Sequence, residues 1–155
     1  MINNGENINV LNKVSQAFVR MGTGYVKCFA DVVLNMKDDN ITFFEGNIVV
    51  YKITVPHINS HIKSVVNILK EQNFEIYVIS LTNQYLVETI VKCLMIPVKN
   101  CFGIKYKMTK FDDIEVLSED LINPLPAGKE IEKIYKQEIS GDLPLFTAGS
   151  SSADL

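Results

Sequence analysis

The chain has 155 residues, 47% of them hydrophobic and 21% charged, and carries a formal net charge of −3. That balance suits one folded domain with a sizeable core and excludes a wholly disordered chain. The negative charge and scattered lysines give no footing for DNA or RNA, no apolar run is long enough to cross a bilayer, and the opening MINNGENINV lacks the basic-then-apolar order of a secretory signal.

In chain order, Val10, Val14, Ala17, Phe18 and Met21 repeat at helical spacing, and MGTG breaks the pattern. Tyr25, Phe29, Val32, Val33 and Met36 predict a second helix, closed by KDDN. ITFFEGNIVVYKITV is apolar on too many sides to separate helix from strand. After Pro56, Ile58, Ile62, Val65, Val66 and Leu69 predict an amphipathic helix. All these stripes are read as core-packing faces. Residues 1–72 thus read as an all-helical region.

From Asn73 the pattern changes. FEIYVIS reads as a buried parallel strand ending in Ser80, LTNQ as a helix-capping turn, and Leu86, Ile90, Val91 and Leu94 as the apolar face of the following helix. CFGIKYKM alternates as a strand with one wet face, and TKFDD turns it toward IEVL as a hairpin. After NPLPAG a helix opens on Lys129 and carries Ile131, Ile134, Tyr135 and Ile139; GDLP stops it, and LFTA reads as a last strand. Strand, helix, hairpin, helix, strand over residues 73–155 predicts an α/β layer with parallel strands.

Cys28, Cys93 and Cys101 form an odd set without CxxC spacing, as expected of reduced thiols in a cytoplasmic protein. His57 and His61 have the i, i+4 spacing of a zinc pair, but neither an HExxH motif nor an obvious third ligand accompanies them. In open α/β sheets, ligands gather at the carboxyl ends of strands, where Ser80 and the GSSSAD loop fall. Lys129 stands at a helix N-terminus, where the helix dipole disfavours a cation unless an anion lies near.

Ser80, then GKEIEKIY with Lys129, then FTAGSSSAD, taken in that order, resemble the haloacid dehalogenase superfamily of phosphohydrolases, in its phosphoserine-phosphatase-like branch. The resemblance covers the second half of the chain in detail and implies a partial Rossmannoid three-layer core over 73–155, preceded by a helical cap-like region over 1–72. It implies that Ser80 binds a phosphate oxygen, that Lys129 binds phosphate and offsets charge in catalysis, and that Asp154 helps hold Mg²⁺. The expected ligand is a small phosphorylated metabolite.

Two departures bear on activity. The family's Asp-x-Asp nucleophile motif is missing: Asp31 has no second Asp two residues on, and Asp38 and Asp39 are adjacent. Ser150 stands where a metal-binding Asp belongs, and a neutral hydroxyl is a poor replacement around Mg²⁺. The expectation is a truncated phosphohydrolase, inactive or impaired alone, in which the N-terminal segment fills the place of the missing central strand, or the isolated chain is marginally stable, or another chain supplies that strand. The alternatives are a non-catalytic phosphate-ester-binding module or subunit, and a degenerate gene fragment.

Overall fold

The structure is a computed structural model, and it describes residues 17–37, 40–123, 125–126, 128–139 and 144–149. The predicted helix over Val10–Met21 lies largely outside these residues; Ala17–Arg20 form a turn, with Arg20 at φ 66°. Helix α1 spans Thr23–Leu34 and hairpin strands β1 and β2 span Asn40–Glu45 and Ile48–Thr54. Next come α2 (Ser60–Glu71), β3 (Val78–Asn83), α3 (Gln84–Cys93) and β4 (Cys101–Ile104). A second hairpin of β5 (Tyr106–Phe111) and β6 (Ile114–Leu121) follows, then α4 (Lys129–Ile134), continued by a wider turn over Tyr135–Ile139. The architecture is mixed α/β, and the described residues form three two-stranded sheets.

The first region is not all helical. The ambiguous run folds as the antiparallel β1–β2 hairpin, with Glu45 opposite Ile48. Gly46 supplies positive φ (61°) at the first position of the two-residue loop, matching the right-handed twist of a hairpin. The β5–β6 hairpin falls where TKFDD predicted it: Phe111 faces Ile114, and Asp112 and Asp113 both take positive φ, 48° and 65°. Asp tolerates that conformation better than most residues because its short side chain bonds locally.

Helices α2 and α3 are closed at both ends by local hydrogen bonds. Asn59 Oδ1 accepts the His61 N–H at 2.8 Å and Asn83 Oδ1 accepts the Tyr85 N–H at 2.9 Å, each satisfying an otherwise orphaned donor. At the far ends, Asn73 (φ 62°) and Met95 (φ 54°) turn left-handed. Asn73 and Phe74 donate to Lys70 and Leu69, and Met95 and Ile96 donate to Lys92 and Val91, the paired bonds of a Schellman motif.

Strands β3 and β4 pair in parallel around α3. Ile79 faces Phe102 and Asn83 faces Ile104, so Ser80, Leu81 and Thr82 together stand opposite Gly103 and the strand bulges there. The predicted strand over 74–80 is therefore shifted: it begins at Val78 and runs on to Asn83. The predicted single strand over 101–108 is two strands that break at Lys105 and join different sheets. LFTA is not a strand. Pro144–Gly149 is irregular and exposed, with Leu145 at 85%, because apolar composition makes a strand only where another strand offers hydrogen bonds.

Among the described residues the core has two clusters. One gathers Val66, Val87, Val91, Leu94, Ile96 and Cys101 between α2, α3 and β4. The other joins Val26 to Ile104, Tyr106 and Leu117, with Phe18, Tyr85 and Leu86 against it. Hydrogen bonds from Arg20 N–H to Leu117 O (2.7 Å) and from Leu117 N–H to Met21 O (3.0 Å) pin the approach to α1 along β6. The stripes predicted as core are only partly so. On α1, Val26 and Ala30 are buried while Tyr25 (75% exposed), Phe29 and Val32 face outward; on α2, Val66 is buried while Ile62 and Val65 are exposed.

Candidate functional site

The sequence placed the site at the carboxyl end of the strand carrying Ser80, and that end is the bulge between β3 and β4. Ser80 is half-buried, and its Oγ accepts the Thr82 N–H at 3.2 Å, closing a tight side-chain turn. Helix α3 starts at Gln84, so a serine and a threonine hydroxyl lie just ahead of a capped helix N-terminus. Hydroxyls and helix-terminal amides together suit an anionic oxygen.

The bulge is held from below. Gln84, itself buried, accepts the Gly103 N–H on Oε1 at 2.6 Å and donates from Nε2 to Cys101 O at 3.2 Å. Its Nε2 also reaches Cys101 Sγ (3.5 Å) and Glu88 Oε1 (3.3 Å). Glu88 Oε2 in turn meets Lys27 Nζ at 3.0 Å, and that ammonium lies 4.9 Å from the centre of the Tyr85 ring. A Cβ on Gly103 would fall 2.7 Å from Thr82 O and 2.8 Å from Gln84 Cα, both backbone atoms. Only glycine lets the bulge lie this close to β4.

Burial pushes the Cys101 thiol above its ordinary range, with the charge of Glu88 adding to the effect. Among the described residues, two buried donors have no hydrogen-bond partner: Asn83 Nδ2, whose own Oδ1 caps α3, and the Tyr106 hydroxyl.

The other expected site residues divide. Lys129 opens α4 after Gly128 (φ 54°) and is exposed. The Glu132 carboxyl is held below its usual range chiefly by Lys136, which bonds it at 2.6 Å, with a smaller pull from Lys129. The Tyr77 hydroxyl is pushed up first by its hydrogen bond to Glu75, with burial, the charge of Glu75 and, least, Tyr135 adding to it. Farther on, Phe146 meets Phe74 edge-on with centroids 6.1 Å apart. Ser150, Asp154, Asp38 and Asp39 lie outside the described residues, and Asp31 is exposed on α1. His57 precedes α2 while His61 lies in its first turn, so the two do not share a helical face.

Among the described residues no group of three His, Cys, Asp or Glu side chains is gathered to hold a metal. The described end of β3 offers hydroxyls and amides, not the carboxylate set that Mg²⁺ prefers. Among the same residues no helix is long and apolar enough to cross a membrane. An open groove of about 400 Å³ lies at the opposite, amino end of β3 and β4, lined by Lys70, Phe74, Met95, Pro97, Lys99 and Asn100 among others. Two of its polar side chains are already engaged, Lys70 Nζ with Met95 O and Asn100 Nδ2 with Ile76 O. The chemistry therefore favours the bulge over the groove.

No protein-family model and no curated protein matches this chain.

Nothing in the sequence singles out Gln84. A glycine inside a strand pattern does signal close backbone approach, so Gly103 was readable in principle. Gln84 was not, because nothing local distinguishes a clasping glutamine from a solvated one.

Proposed function

We propose that this chain is a phosphate-monoester-binding protein of the haloacid dehalogenase type, akin to the phosphoserine-phosphatase-like phosphohydrolases, with little or no hydrolysis of its own. The carrying observation is the β3–α3–β4 unit, in which Ser80 sits in a bulge just ahead of a helix N-terminus and opposite a glycine that only a close backbone approach requires. Lys129 after a left-handed Gly128 supports the same reading from the second element of the resemblance. Within this reading the Ser80 hydroxyl donates to a phosphate oxygen and Lys129 offsets its charge. Attack on phosphorus needs a carboxylate at the same spot, and the sequence has no Asp-x-Asp pair to supply one.

Calorimetric titration with inorganic phosphate and with phosphoserine tests it, alongside p-nitrophenyl phosphate hydrolysis with and without Mg²⁺. Measurable binding that weakens about ten- to a hundredfold in both Ser80→Ala and Lys129→Ala, with negligible turnover, is the expected result. Loss of one hydrogen bond to a charged group corresponds to about 1.5–3 kcal/mol. No heat with either ligand removes the binding reading; robust turnover removes the statement that the nucleophile is missing.

A second reading is favoured by the sheet itself. Parallel pairs are stable when covered on both faces and extended by further strands, whereas β3–β4 is a pair among the described residues. A partner chain that adds a strand beside β3 meets that need, and it would carry the missing Asp pair. Co-expression with such a chain, read as a stable complex with restored turnover, separates this reading from the first.

A further inference from the structure

We infer that Gln84 is a positioning residue that fixes the Ser80–Thr82 turn by tying the start of α3, and with it the end of β3, to β4 from inside. Between Ile79 and Asn83 the regular ladder is interrupted, with three residues of β3 against the single Gly103 of β4. Beside that interruption the Gln84 carboxamide bonds β4 at two points, accepting from Gly103 N–H at 2.6 Å and donating to Cys101 O at 3.2 Å. Thr82 O and the Gln84 backbone both press on Gly103, so withdrawing the carboxamide frees the atoms that set how far the bulge stands off β4. Glu88 and Lys27 hold the clasp in turn, linking α1 to it. Because Gln84 is buried, water cannot readily take the place of its amide.

The claim about the turn stands on this geometry; its consequence for phosphate rests on the function proposed above. Amide hydrogen exchange followed by NMR separates the two. In Gln84→Met, similar in size but unable to hydrogen-bond as the amide does, the Thr82 amide is expected to exchange at least tenfold faster while the Val91 amide in the core is unchanged. In Gln84→Glu, which keeps the acceptor for Gly103 and loses the donor to Cys101, an intermediate rate is expected; this variant also serves if Gln84→Met does not fold. Unchanged Thr82 exchange in the folded variant overturns the positioning role. Titration with inorganic phosphate then reads the consequence: weaker binding by Gln84→Met than by wild type supports it, and equal affinity overturns it. If wild type itself binds no phosphate, the functional reading fails, and the exchange rates still decide what Gln84 does.

Discussion

Tyr106 belongs to the second cluster, and among the described residues its buried hydroxyl has no hydrogen-bond partner; Asn83 Nδ2 is in the same position at the end of β3. A buried polar group left unpaired costs about 1–3 kcal/mol relative to its hydrated state. Tyr106→Phe keeps the ring and removes the orphan, so it is expected to leave stability unchanged or raise it by about 1 kcal/mol, read as a higher urea midpoint at constant slope. A loss of more than about 1 kcal/mol would reveal a partner for the hydroxyl. Asn83 is not open to the same simplification, since its Oδ1 holds the Tyr85 amide. Cys101 makes a contrasting case. Its thiol pKa is raised in the folded chain, so its contribution to stability is complete below the ordinary thiol range and is lost as pH climbs through the raised value. In iodoacetamide labelling followed by mass spectrometry, the exposed Cys28 and Cys93 should react promptly and Cys101 only as the protein unfolds. Equal rates for Cys101 and Cys28 would contradict its burial.

Among the elements, α1 shows what periodicity can and cannot decide. Its spacing predicts a helix, and a helix forms over Thr23–Leu34. Of the predicted inner face, Tyr25, Phe29 and Val32 point outward and Val33 and Met36 are half-buried, because Val26 and Ala30 supply a second apolar face that packs inward. A helix apolar on two sides gives no internal clue to which side meets the core. Two substitutions measure the difference. Val26→Ala should cost about 2–3 kcal/mol by emptying a site that is only 1% exposed, whereas Phe29→Asp should cost less than about 1 kcal/mol. Chemical denaturation of both variants checks the order, and the reverse order would place the wrong face inside. The hairpins divide similarly. FDD was legible because a two-residue turn with left-handed Asp residues has a sequence signature, while the β1–β2 run hid both its strands and its turn at Gly46 in near-unbroken apolarity.

Over the whole molecule, legibility follows how local each determinant is. Ser80 and Lys129 were readable as members of an ordered motif; Lys129 opens α4, whereas Ser80 lies within β3 and not at its end. The clasp by Gln84 was not, since its partners Cys101 and Gly103 lie 17 and 19 residues away. The strand expected at 144–148 failed for a related reason: strand formation depends on a neighbour as well as on composition, and Leu145 and Phe146 are exposed where one was expected. The same non-locality governs α3. Its Val87, Val91 and adjoining Leu94 belong to one cluster, while Tyr85 and Leu86 lean on the other. A single short rod thus acts as the party wall of two rooms, and a shove against either side is transmitted to the other; the molecule has no seam there along which one compartment can be emptied while its neighbour stays furnished.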